Sequence, residues 1–476
     1  MSKYKILSYA IGPFGAAILG FISLPLMAWF FSTEDIGRIS ILQIFSTFSI
    51  LFFCLGLDQA YVREFHEHKD KDSLFKTCFL PGIVFCLILF FIILVFNPKL
   101  ISINLYGIDS TYLSFISIIC FIFSYIIRFL GLILRMQNKA FLYSISQITP
   151  KLFLINYIFF LYICNIEKKF ENLITGQAIA LFFCVLVLLW NNRNTLYDIF
   201  KAKFNLIKFK EIIIFGFPLI IGGLASWGLN VADKLMLKTL SDLNELGVYS
   251  MAFSIAGIAT IFVGVFNTIW SPMVFKWISE NNIDHTKLKN IREYSICFVY
   301  YVIVLSGIFS WVIMLFLPSD YDLVPYLITS CLLVPFFYTL SEITSIGIAI
   351  SRKTILSMYS SLIVLCFNVL LNYIFISHFG ASGAALSISL SFWMLLYIKT
   401  EFSKKVWIPF DVRKTYYITF LLVVLASINC LKLFDDYILF LMWLLFFVLG
   451  FVFFKSCLKN IFIIACGLIN NLKRGL

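Results

Sequence analysis

Ser32-Thr33-Glu34-Asp35-Ile36-Gly37-Arg38-Ile39-Ser40 recurs in altered form as Asp242-Leu243-Asn244-Glu245-Leu246-Gly247-Val248-Tyr249-Ser250. Each is an acidic turn with glycine at the same offset and a serine three residues on, and each leads into an apolar run. The apolar segments upstream open alike, on Gly12-Pro13 and on Gly216-Phe217-Pro218. The two copies stand six apolar segments apart. An even interval brings the chain back to the same side of a membrane, so the copies read as parallel repeats related by an axis along the membrane normal, with a cavity between two lobes.

The composition agrees with a membrane origin. Of 476 residues 61% are hydrophobic, 18% aromatic and 13% charged, and the mean hydropathy is +0.96. Soluble domains carry about 25% charged residues. A crossing helix needs about 20 mostly apolar residues, and such runs lie near 6–31, 38–57, 77–96, 111–133, 142–163, 172–190, 211–233, 248–272, 294–317, 323–350, 355–376, 382–400, 415–432 and 437–455. The expected fold is therefore an all-α membrane protein of about fourteen transmembrane helices. It comprises a six-helix lobe over 1–200, a second over 201–410, two further helices over 411–456 and an interfacial tail over 457–476. The loop 191–210 is expected to link the lobes, and the tenth span to be tilted or broken at Pro335.

The formal charge is +12, which in a soluble chain would suggest nucleic acid. Here the basic residues sit in short loops between apolar runs, which excludes that partner. Twenty-eight of the 37 Lys and Arg fall in alternate loops on one side and seven on the other. The bias places both termini in the cytoplasm. The N-terminal run has no small-residue cleavage site and is expected to be an uncleaved span. Twelve scattered cysteines contain no CxxC pair, so neither a metal nor a redox motif is implied. Asp70-Lys71-Asp72, with His66-x-His68 beside it, matches a loose metal and nucleotide-sugar pattern, but it lies in a charged loop with no nucleotide fold around it and reads as a solvated charge run. No catalytic constellation, metal site or cofactor is expected, so the chain reads as a non-enzyme.

At four places the sequence resembles the polysaccharide-biosynthesis flippases of the Wzx type, within the multidrug/oligosaccharidyl-lipid/polysaccharide exporter superfamily. These are the glycine-rich first span, Glu34-Asp35-Ile36-Gly37, Gly56-Leu57-Asp58-Gln59-Ala60-Tyr61-Val62-Arg63-Glu64-Phe65, and Phe379-Gly380-Ala381-Ser382-Gly383-Ala384-Ala385. The resemblance implies a V-shaped two-lobed bundle that works by alternating access in the bacterial inner membrane. It implies as cargo an undecaprenyl-diphosphate-linked oligosaccharide, for O-antigen or capsule synthesis. A proton or sodium ion as coupling ion, and a polysaccharide polymerase and chain-length regulator as partners, follow from the same likeness. A drug or metabolite exporter of the same superfamily is the alternative, and a membrane-embedded glycan polymerase or transferase a more distant one.

Lys151 stands about 14 Å into the fifth span, near the middle of a core about 30 Å thick. A cation there reads either as a contact for substrate phosphate or as the partner of a buried acid. Arg128 in the fourth span offers a fork suited to a diphosphate, or snorkels to the surface. Glu342 reads as a proton or sodium site or as counter-ion to one of these cations. Asp233 with Lys234 reads as an outer gate or a helix cap, with Asp233 also an ion-coupling or counter-ion candidate, and Asp58, Arg63 and Glu64 as an interfacial ion-pair cluster or a binding site. Asn368 and Asn372, one turn apart, face sugars or a neighbouring helix. Trp227 and Trp270 stack sugar rings or anchor at the interface. Pro13, Pro25 and Pro218 are expected to bend the gating spans.

Overall fold

The computed structural model describes residues 3–459 apart from 66, 280–284, 352, 354 and 409. The tail expected over 457–476 lies almost wholly outside the described residues. Those described form helices and turns without strands. The chain falls into two compact units, residues 1–254 and 255–476.

The first unit contains α1 (Lys3–Phe30), α2 (Thr33–Cys54), α3 (Leu57–Glu64), α4 (Lys71–Phe96), α5 (Leu100–Tyr106), α6 (Thr111–Met136), α7 (Ala140–Ile163), α8 (Phe170–Lys201), α9 (Leu206–Leu240) and most of α10 (Leu243–Ala256). The two repeat turns are the starts of α2 and α10, and both use the same cap. Ser32 Oγ accepts from Asp35 N at 3.2 Å and Asp242 Oδ1 accepts from Glu245 N at 2.7 Å. Each cap satisfies one orphan amide of a helix start. The two starts then press against one another. A Cβ on Gly37 would stand 2.1 Å from the Leu243 carbonyl oxygen, and a Cβ on Gly247 would stand 1.9 Å from that of Thr33. Thr33 Oγ1 donates to Asn244 Oδ1 at 2.8 Å across the same contact. Only glycine permits backbones so close, as at small-residue crossings of membrane helices generally.

The helix α9 packs on α2, α3 and α4, so the seventh expected span belongs to the compact unit of the first six. The linker is shorter than the sequence suggested. α8 continues eleven residues past the expected span end, to Lys201, because the turn beyond the apolar run is still held. Asn192 is buried and donates to the Leu188 and Leu130 carbonyls, while Lys76 Nζ caps the helix end at the Phe200 and Ala202 carbonyls. Asp70 accepts from Ser73 N at 2.9 Å and is the cap of α4, which gives the Asp70-Lys71-Asp72 motif a purely structural task. Pro13 and Pro25 lie within α1 and Pro218 within α9, and both helices run unbroken through them.

The second unit contains α11 (Ala259–Ser279), α12 (His285–Ile308), two short 3-10 turns, α13 (Val324–Thr344), α14 (Ile346–Ile350), α15 (Ile355–Val406), α16 (Arg413–Cys430) and α17 (Asp436–Phe453). The helix α13 passes through Pro335 and breaks at Ser345 instead. Thr339 Oγ1 donates to the Pro335 carbonyl at 2.9 Å, which keeps the turn after the proline hydrogen-bonded. The eleventh and twelfth expected spans are the two halves of α15, broken at Gly380 with φ 52°. The helices α16 and α17 pack on α12, with Trp443 of α17 seated on Gly307 and donating to Asn429 of α16 at 3.1 Å.

The expected spans fall mainly on helix, the second broken at Leu55-Gly56 and the ninth ending in the 3-10 turn Ser310–Leu315, and among the described residues nine helices are individually long and apolar enough to cross a bilayer. The glycine contact is directly testable. Gly37→Ala or Gly247→Ala should destabilise the purified protein by about 2 kcal/mol or more, as overpacking against a backbone cannot relax. Gly20→Ala, with nothing within 4 Å of the new methyl, should be neutral or stabilising. Equal melting temperatures for Gly37→Ala and Gly20→Ala would show that the contact is dispensable.

Candidate functional site

A cavity of about 570 Å³ opens in the first unit among α2, α3, α6 and α9. Its position follows from a break in the second span. α2 stops at Cys54, Leu55 and Gly56 adopt left-handed conformations with φ 50° and 71°, and α3 restarts at Leu57. Glycine is required at 56 for two reasons, since its φ is positive and a Cβ would stand 2.3 Å from the Gly216 carbonyl oxygen of α9.

The break turns Asp58, in the first turn of α3, toward α6. Its Oδ2 accepts from Arg128 Nε at 3.0 Å and from Nη2 at 2.6 Å. Asp58 is buried, 9% exposed at its side chain, whereas the Arg128 side chain is 40% exposed. The pair is therefore asymmetric, with the carboxylate sealed and part of the guanidinium left open to the cavity. A guanidinium carries five N–H donors, and one carboxylate oxygen engages only part of that fork. Gln59, Asn230 and Trp227 line the same space. Trp227 Nε1 donates to Thr47 Oγ1 at 3.1 Å, and its ring meets Phe48 at 5.1 Å. This fixes the indole with its polar atom satisfied.

Arg128 and Trp227, expected from the sequence as substrate contacts, thus share one cavity. Of the expected cluster Asp58, Arg63 and Glu64, Asp58 pairs with Arg128 and Glu64 with Lys208 at 2.9 Å. The signal for Asp58 lay in Gly56-Leu57-Asp58, where a glycine ahead of an acid marks a restarted helix. Lys151, partly exposed on α7, has no hydrogen-bond or ion-pair partner among the described residues. Asp233 on α9 is fully buried and accepts from the Tyr249 hydroxyl, while its Oδ1 has no partner among the described residues. Lys234 lies over the Phe253 ring at 4.6 Å.

In the second unit Glu342 pairs with Lys399, Nζ to Oε1 2.8 Å, and not with either cation considered from the sequence. Lys399 stands at the end of the twelfth expected span and is one of the twenty-eight basic residues counted on one side. The helix α15 extends to Val406 and buries it to 5% exposure. Asn368 and Asn372 are fully buried. Asn372 donates to Asn368 at 3.0 Å and Asn368 to Ser391 at 3.1 Å, so they join the two halves of α15. Trp270 is buried on α11, stacked on Phe266 at 5.6 Å.

The polysaccharide biosynthesis protein model matches residues 2–278, more than half of the chain. The chain belongs to the polysaccharide biosynthesis protein family. It is 21% identical over 352 residues to a Haemophilus influenzae protein described as an uncharacterized membrane protein, covering 69% of this chain and 80% of that one. Among solved structures it resembles one described as the lipid II flippase MurJ in an inward closed conformation, with 20% identity and a TM-score of 0.68. The match covers 96% of this chain and 99% of that one. It also resembles an inward-facing multidrug resistance MATE family transporter of the MOP superfamily, with 14% identity and a TM-score of 0.53, over 82% of this chain and 94% of that one. The family found agrees with the polysaccharide-biosynthesis resemblance of the motifs, and the helical fold is shared with these two solved structures.

The asymmetric pair separates structure from transport. Arg128→Ala should lower folded protein by the cost of an unpaired buried carboxylate, about 3–5 kcal/mol. Arg128→Ala with Asp58→Asn should restore abundance in a fluorescence size-exclusion measurement while transport stays lost. Recovery of transport in the double variant would make Arg128 purely structural.

Proposed function

We propose that this protein flips a lipid-linked oligosaccharide, an undecaprenyl-diphosphate-bound repeat unit, from the inner to the outer leaflet of the bacterial cytoplasmic membrane by alternating access, for O-antigen or capsule synthesis. The observation that carries this reading is the cavity of the first unit, where a half-exposed guanidinium is pinned by Asp58 beside Trp227 and Asn230. A diphosphate and its sugars cannot enter hydrocarbon with their polar groups unpartnered. A guanidinium fork offers the diphosphate charge-assisted bonds, an indole face suits a sugar ring, and an amide suits its hydroxyls. The lipid tail stays in the bilayer throughout.

In this reading Lys151 supplies a second cation toward acidic sugars or phosphates, both termini are cytoplasmic, and the two repeats are the moving lobes. Pro13, Pro25 and Pro218 mark the gating helices. Asp233, buried with one unpartnered oxygen, is the proposed coupling site for a proton. The assignment of Lys151 is tested in a strain that depends on this gene for its surface glycan. Lys151→Ala should abolish surface glycan at normal protein level, and Lys151→Arg should retain part of it, since a point cation tolerates replacement where geometry is not strict. Normal glycan with Lys151→Ala removes that residue from the site. Accumulation of the lipid-linked unit in the inner leaflet when the gene is deleted supports flipping, and its absence overturns it.

A further inference from the structure

We propose that the second unit holds a resident anionic phospholipid headgroup, in a cavity that is separate from the one in the first unit and independent of the flippase reading. The cavity, about 550 Å³, lies among the start of α12, the ends of α13 and α15, and the start of α16. Its volume falls in the range of roughly 300–1,000 Å³ that holds small ligands. Lys289 and Arg292 reach it from α12 and Lys414 from α16, and Glu293 and Asp411 also line it. None of the three cations forms an ion pair with a carboxylate among the described residues. Three cations against two carboxylates leave the lining with a net charge of one positive unit.

That balance selects the ligand. A phosphodiester with a polyol head brings one negative charge and closes the sum to zero, its phosphate on the cations and its hydroxyls donating to Glu293 and Asp411. A zwitterionic ethanolamine head leaves the excess positive charge uncompensated. The walls place this chemistry at a membrane surface. Arg292 lies over the Phe410 ring at 4.8 Å and Lys414 over the Phe454 ring at 4.9 Å, and Trp407 is part of the lining. Aromatic side chains mark the headgroup level of a bilayer, and basic pockets between helix ends bind acidic headgroups there. The cations belong to the loops that form the lysine-rich side of the charge pattern. The ring contacts hold Arg292 and Lys414 in place before a ligand arrives, which reduces the ordering cost of binding.

Native mass spectrometry of the full chain in detergent tests this, with phosphatidylglycerol, phosphatidylethanolamine and inorganic pyrophosphate as probes. The expected result is a one-to-one phosphatidylglycerol adduct that Arg292→Gln with Lys414→Gln weakens by about tenfold or more. Arg292→Lys with Lys414→Arg should retain it, which controls for folding. Equal retention of phosphatidylethanolamine, or an unchanged adduct in the double Gln variant, overturns the proposal. Displacement of phosphatidylglycerol by equimolar pyrophosphate also overturns it, because the site then prefers a diphosphate to a phospholipid head.

Discussion

Two helix starts touch through their backbones at Gly37 and Gly247, and the contact is reciprocal. Gly37 faces the carbonyl of Leu243 while Gly247 faces that of Thr33, so each glycine meets the first helical residue of the other copy. The two facing pairs are placed symmetrically about the repeat, since Thr33 corresponds to Leu243 and Gly37 to Gly247 in the two copies. A two-fold relation inside one chain therefore follows from duplicated sequence, just as an isologous interface follows from identical subunits. The contact lies in the turns that lead into the second and eighth expected spans, where close backbone packing and the Thr33–Asn244 hydrogen bond hold the two helix starts together. The capping side chains of Ser32 and Asp242 turn inward to their own helix amides. That leaves the facing surfaces smooth enough for the approach.

Charge inside a membrane protein has to be answered locally, and three cations of the apolar runs, Lys399, Arg128 and Lys151, are answered differently. Lys399 is enclosed, its ammonium on Glu342 with the Tyr338 ring 5.3 Å away. Such a pair is expensive to break but adds little net stability over apolar packing, and it leaves no donor-rich face. Arg128 is answered on one edge only. Lys151 finds no acid among the described residues. A buried cation held by its acid suits architecture, whereas a partly answered cation suits a ligand that brings its own negative charge.

The helical framework was legible because apolar runs of spanning length are an unambiguous signal, and the repeat was legible because its turn residues are fixed by capping and by the glycine contact. Boundaries were less legible where polar residues continue a helix, as at Asn192 and Lys399. Both carry loop-like side chains whose burial depends on partners remote in sequence, Leu130 and Glu342. The two short helices α3 and α5 were hidden for a related reason. Each has fewer than nine residues, too few for a periodic signal to build up. The cavity was half legible, since a lone Arg128 in an apolar run announces itself, but its pairing with Asp58 depends on a helix break at Leu55-Gly56 that composition does not reveal.

That break explains why the pair stays open. Had α2 continued as one helix through Asp58, the carboxylate would sit in a helix interior and depend on Arg128 for its whole compensation. The restart places it in the first turn of α3, where the unpaired amides and the helix dipole already favour negative charge. The carboxylate is thus stabilised from two directions and draws on one edge of the guanidinium. Gly216 presses on Gly56 from α9, and α9 also carries Trp227 and Asn230 into the same cavity. A shift of α9 along this contact would move the wall of the cavity and the hinge of α3 together, so the position of the helix and the availability of the cation are mechanically linked.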